Sequence, residues 1–212
     1  MAKISIPDTN LIYNEIHALF PNARCELLYD SDFHLLIAIM LSAQTTDISV
    51  NRVTPKLFAK YRTISDLSNA HIHEIEDIIK SIGLYRNKAK NMKALAERIT
   101  NDFNGNIPSS QKELESLPGV GRKTANVYLS EWHKIPRIAV DTHVKRVSVR
   151  LGMADEKDSP EKVEEKLMKI FQEEKWIEIH HLLIFFGRYF CKAIKPECHQ
   201  CPLLPICTKP LL

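Results

Sequence analysis

The sequence has little excess charge of either sign and no long apolar run. Lysine and arginine total 29 against 26 acids, a net charge of +3 over 212 residues. Overall charge is therefore weak ground for a nucleic-acid partner. The longest clean apolar run, Leu35 to Leu41, is far too short to span a bilayer. The first residues, Met-Ala-Lys-Ile-Ser-Ile-Pro-Asp, lack the apolar core and cleavage site of a secretory signal. A cytoplasmic protein without a membrane partner is expected. No stretch sustains two-residue alternation of β-branched residues, so the expected fold is all-α. Cysteine is scarce and odd in number, five in all, with four crowded near the C-terminus. Without a secretory signal, that crowding points to a metal site rather than disulfides.

The most informative stretch is 117–125, Leu-Pro-Gly-Val-Gly-Arg-Lys-Thr-Ala. Pro118 favours a turn, and Gly119 and Gly121 permit positive φ and close backbone approach. A helical pattern follows at once, with Val127, Tyr128 and Trp132. The reading is helix, tight glycine hairpin, helix, over about 109–133. Unpaired N–H groups at the hairpin and the second helix start form a nest suited to one phosphate. Backbone groups would grip DNA without regard to sequence. Lys123 and Thr124 invite a nucleotide-binding reading, but the Gly-x-x-x-x-Gly-Lys-Ser/Thr spacing is absent. Eighteen residues after Lys123 comes Asp141, in Val-Asp-Thr-His-Val.

Elsewhere the pattern is of amphipathic and buried helices. Asp8 or Thr9 is placed to cap a first helix, and Asp32 a second. The second is apolar all round, as a central core helix is. It ends in the polar turn Leu-Ser-Ala-Gln-Thr-Thr-Asp, residues 41–47. Further helices are expected at about 46–60, 71–82 and 87–103, and Ser109 as cap of the helix entering the hairpin. Residues 82–90 weakly echo 118–126, and Leu84 sits in that loop. Cys25 reads as a small buried residue. Basic residues gather in 85–98 (Arg86, Lys88, Lys90, Lys93, Arg98) and in 137–150 (Arg137, Lys145, Arg146, Arg150). Residues 154–174 hold eight acids and four lysines. Basic and acidic faces fit DNA binding by one side. Glu161, Glu164 and Glu165 read as a solvated acidic face, and His180 and His181 as helix-capping or core-edge residues.

The last four cysteines, Cys191, Cys198, Cys201 and Cys207, are spaced C-x6-C-x2-C-x5-C. Zinc and an iron–sulfur cluster both accept four thiolates. Only Cys198 and Cys201 form a short pair, which favours a cluster over the two knuckles of a zinc site. Lys192 and Lys195 lie in the same loop, where they could meet phosphates.

The hairpin sequence followed by Val-Asp-Thr-His resembles the helix-hairpin-helix DNA glycosylase superfamily and, within it, the endonuclease III family. The resemblance spans nearly the whole chain. It implies two helical lobes with a cleft between them: residues 25–135 as a helical barrel bearing the hairpin, and residues 1–24 with 136–212 as a discontinuous lobe with the cluster loop 191–207. It also implies a [4Fe–4S] cluster on the four cysteines, and double-stranded DNA bearing oxidised pyrimidines or abasic sites as the partner of a nucleoid-associated monomer. Lys123 matches the nucleophile and Asp141 the carboxylate that assists it. Gln44 matches the residue that fills the space of a flipped nucleotide, Leu84 a wedge between bases, and His143 a residue near the flipped-out site. Leu117, Gly119, Val120, Gly121 and Arg122 match the DNA-gripping hairpin. A neutral lysine attacking C1′ forms a Schiff base, and β-elimination then cuts the strand. Two rivals stand beside this reading. A monofunctional adenine-mismatch glycosylase typically lacks the lysine and carries a further domain, whereas this sequence stops five residues after Cys207. A non-catalytic, metal-stabilised DNA-binding module would bind without turning over.

Overall fold

The computed structural model describes residues 8–211. Among them every regular element is helical. The chain forms two compact units, Glu26–Ile135 and the pair Met1–Cys25 with Pro136–Leu212.

The unit Glu26–Ile135 is built round α2 (Asp32–Ser42), in which every residue from Phe33 to Leu41 is buried. An apolar helix with no polar stripe has no face to give to water, so its neighbours must enclose it. It packs against α3 (Asp47–Lys60), α6 (Tyr85–Asp102) and α8 (Arg122–Glu131). Each buried leucine or isoleucine there contributes about 1.5–3 kcal/mol by leaving water. Ser31, not Asp32, caps the helix: its hydroxyl accepts from the His34 N–H at 3.1 Å, and Asp32 lies in the first turn. Three short helices complete the unit: α4 (Ile64–Ser68), α5 (Ile72–Ile79) and α7 (Gln111–Ser116). One, α4, escaped the sequence reading, although Thr63 and Asp66 form a full capping box at its start. α7 is capped by Ser110 rather than Ser109.

The other unit joins α1 (Thr9–Leu19) to α9 (Thr142–Arg150), α10 (Pro160–Ile170) and α11 (Trp176–Phe185). Its core holds Ile12 and Ile16 from α1, Val144 and Val147 from α9, and Leu182, Leu183 and Phe186 from the last helical segment. Asp8 caps α1, with its carboxylate accepting from the N–H groups of Asn10 and Leu11. Glu164 is buried, so the acidic face of α10 is narrower than expected. The reason is helical period: Val163, Glu164 and Leu167 share one stripe. His180 and His181 are likewise buried within α11, and Cys25 is only half-buried. α11 continues into a π-helical turn, Phe186–Phe190, which leads directly to Cys191.

Candidate functional site

The hairpin between α7 and α8 is closed by backbone bonds. The Leu117 N–H donates to Leu114 O at 3.0 Å, and the Val120 N–H to Leu117 O at 3.1 Å. The side chains of Leu117 and Val120 are buried, which leaves their backbone, not their apolar groups, for any outside partner. Gly119 has φ +77°, and a Cβ there would lie 2.8 Å from Met40 Cε and 2.9 Å from Asn91 Cβ. Asn91, on α6, is a hairpin support that the sequence did not reveal. Gly121 behaves differently from expectation. Its φ is −99°, ordinary extended backbone, and nothing of the chain lies within 4 Å of the missing Cβ. It is the N-cap of α8 and supplies no side-chain cap bond. The first turn of α8 carries Arg122 and Lys123, both exposed.

The contrast between the two glycines gives a stability prediction. Gly119→Ala, strained at positive φ and crowded by Asn91, should cost about 1–3 kcal/mol. Gly121→Ala should cost much less. Thermal unfolding of the two variants checks this; equal midpoints would contradict it.

Gln44 and Leu84 are both exposed and both hold left-handed backbone, φ 53° and 58°. Leu84 is 59% exposed, so it is not folded back onto the core. It immediately precedes α6, much as Gly121 precedes α8.

Asp141 is the N-cap of α9: its Oδ1 accepts from the Val144 N–H at 2.8 Å. His143 stands half-buried in the first turn of that helix, its Nδ1 3.2 Å from Arg146 Nη2. Gly187 closes over it, since a Cβ there would come 2.9 Å from His143 Cβ.

The expected basic faces are only partly turned inward. On α6, Lys88 is buried, Lys93 donates to Ser68 O at 2.8 Å, and Arg98 donates to Ser116 O at 2.6 Å. Arg86 and Lys90 remain exposed. On α9, Lys145 donates to Asp158 O at 2.6 Å, and Arg146 to Gly187 O at 2.6 Å. Arg150 donates to Lys192 O at 2.8 Å and lies 3.2 Å from Cys191 Sγ. Buried and half-buried carbonyls need donors, and long cationic side chains supply them. These cations hold the fold, and Lys192 is paired with Glu197 at 2.7 Å. Lys195, by contrast, is exposed on left-handed backbone, φ 52°.

Cys191, Cys198, Cys201 and Cys207 line one small cavity together with Arg150, Leu151, Phe186 and Phe190. Among the described residues no three His, Cys, Asp or Glu side chains converge on a point as ligands of a single ion do. Burial, with some contribution from the other cysteines, pushes the Cys201 and Cys207 thiols above their ordinary range. Four thiolates there would require a compensating positive centre.

A helix-hairpin-helix element within an all-helical chain is the mark of a class, and comparison with known proteins agrees. Residues 37–173 match the HhH-GPD superfamily of base excision DNA repair proteins. Endonuclease III of Bacillus subtilis (strain 168) is 50% identical over 206 residues, 97% of this chain and 94% of that protein. Endonuclease III of Escherichia coli (strain K12) is 44% identical over 187 residues, 88% of each. Two solved structures superpose with a TM-score of 0.93 at 50% identity over 98% of this chain: a trapped endonuclease III–DNA covalent intermediate and a non-covalent endonuclease III–DNA complex, covered to 97% and 96%. The chain belongs to the HhH-GPD superfamily and, within it, to the endonuclease III family.

Proposed function

We propose that this protein is a DNA glycosylase with AP lyase activity that removes oxidised pyrimidines from duplex DNA and cuts the strand by β-elimination. One observation carries the reading. A protein half identical to this one over nearly its whole length has been trapped as a covalent intermediate with DNA. Covalent capture needs a nucleophile, and Lys123 sits exposed in the first turn of the helix after the hairpin.

The lysine amine attacks C1′ of a nucleotide extruded from the stack, and the damaged base leaves with the bonding pair. Extrusion costs a few kcal/mol, least at a damaged pair. The C1′–O4′ bond then opens as O4′ takes up a proton, giving a Schiff base that acidifies the neighbouring sugar carbon; loss of that proton expels the 3′ phosphate, and water releases the lysine. Asp141 stabilises positive charge developing on the sugar and exchanges protons in these steps. Its N-cap bond engages Oδ1, so one oxygen positions the carboxylate while the other stays available. The open N-terminus of α8 and the Leu117–Arg122 backbone grip a phosphate, and the absent Cβ at Gly121 leaves room for it. Gln44 and Leu84 fill and wedge the opened stack. His143 lines the extruded nucleotide.

The four cysteines suit a [4Fe–4S] cluster. They line one cavity, and four cysteine thiolates are the ligand set such a cluster takes. The cluster, when bound, supplies a cross-link that closes the 191–207 loop, and the reaction above takes no electron from it. Cys201→Ser is expected to lose most of the bound iron and the brown visible absorption, and to unfold at lower temperature. Iron analysis and a visible spectrum check this, and stoichiometric zinc in the parent protein would overturn the cluster.

The function is tested on a duplex with one oxidised pyrimidine under borohydride. A trapped protein–DNA adduct with strand cleavage is expected. Free base without an adduct would instead indicate a glycosylase that uses water.

A further inference from the structure

Gln44 and Leu84 lie on different elements, yet one buried side chain joins their supports. Lys88 stands one turn into α6, and its N–H donates to the Leu84 carbonyl at 3.0 Å. The side chain is 8% exposed and runs back to the end of α2. There its ammonium donates to Leu41 O at 2.9 Å, Ala43 O at 2.7 Å and Thr45 Oγ1 at 2.8 Å. An ammonium has three donors, so all three are used. The carbonyls belong to a helix C-terminus, the negative end of its dipole, where a cation is favoured. Two of the acceptors, Ala43 and Thr45, are the chain neighbours of Gln44 on either side.

Desolvation lowers the Lys88 pKa, so the arrangement is held at an electrostatic cost. The Leu41 carbonyl is buried and needs a donor for stability, whereas the other two acceptors are only part-buried and flank Gln44. Left-handed backbone at a residue other than glycine persists only where its surroundings over-determine it. At Gln44 that constraint is visible: both neighbours are tied to one nitrogen.

We propose that Lys88 is a positioning residue for lesion recognition, fixing the Gln44 turn to the start of the helix that carries Leu84 so that both side chains enter the duplex as one rigid unit. The proposal rests on the assignment of Gln44 and Leu84 to the opened duplex. A side chain that holds a stack open must resist its closing. A loose turn would lose ordering entropy at each encounter.

The test uses the full chain with its cofactor. Single-turnover base release from a duplex with one oxidised pyrimidine is measured for Lys88→Met, Thr45→Val, Gln44→Ala and the Lys88→Met/Gln44→Ala double variant. Unfolding temperatures are measured for each, and 2-aminopurine opposite the lesion reports unstacking. Lys88→Met is expected to slow release about tenfold or more and to weaken the 2-aminopurine signal. Thr45→Val should do the same to a lesser degree. The double variant should be no slower than its slower parent, because both changes disable one device. Release at the parent rate in Lys88→Met, or losses that multiply in the double variant, would overturn the proposal. If Lys88→Met fails to fold, Thr45→Val decides, since it removes only the turn's contact and leaves the two carbonyls capped; an unchanged rate and signal there would also overturn it. Gln44→Ala at the parent rate would show instead that the underlying assignment of Gln44 is wrong.

Discussion

Lys123→Gln should lose strand cleavage and borohydride-trapped adduct by roughly a thousand-fold or more, while still binding damaged duplex. An amide nitrogen cannot form a Schiff base with C1′. The fold should not notice the change. Lys123 is exposed, it lies in the first turn of α8, and glutamine has nearly the same helix propensity as lysine. One lost phosphate-attracting charge should lower the salt dependence of binding by about one counterion at most. Single-turnover cleavage and trapping, set beside a binding isotherm at fixed salt, separate the two effects. Undiminished cleavage by this variant would show that the nucleophile is another group.

Asp141→Asn should slow base release by about a hundred-fold to ten-thousand-fold with little change in unfolding temperature. Asparagine caps a helix about as well as aspartate, so the bond from the Val144 N–H survives. What is lost is the negative charge and the ability to exchange a proton. Asp141→Ala removes the cap as well and should cost about 1 kcal/mol of stability besides. Comparing the two variants divides the residue's structural work from its chemical work. If asparagine were as active as aspartate, Asp141 would be a cap and nothing more.

Much of this protein could be read from periodicity and local chemistry. The all-round apolar pattern of 33–41 marked a central helix, because such a segment can be stable only when surrounded. Pro118, Gly119 and Gly121 marked the hairpin, since turn-forming residues act locally. Helix starts were legible to within a residue or two where a hydroxyl or carboxylate preceded an apolar run. The errors there were of one residue: Ser31 caps α2 where Asp32 was expected, and Ser110 caps α7 where Ser109 was expected. The short helix Ile64–Ser68 was missed because five residues show no period, though its capping box was present.

Several of the cations were misread for a different reason. A run of lysines and arginines shows that charge is present but not which oxygens it meets. Lys88, Arg98, Lys145, Arg146 and Arg150 all donate to backbone carbonyls, several of them more than fifteen residues away in sequence. Such partners are brought together only by packing. Glu164 was misplaced as solvated because its charge was weighed above its position on the buried stripe.

The sequence by itself determined the helical class, the glycine hairpin, and the four cysteines as a group. All of these depend on residue type and on spacing within a few turns. The tertiary structure alone decided that Gly119 is needed for its φ while a Cβ at Gly121 would meet nothing of the chain, and that the α9 arginines hold the cysteine loop. It alone tied the Gln44 turn to the helix that begins at Leu84 through one buried ammonium. Those outcomes turn on which atoms meet across long stretches of chain, and local pattern holds no information about that.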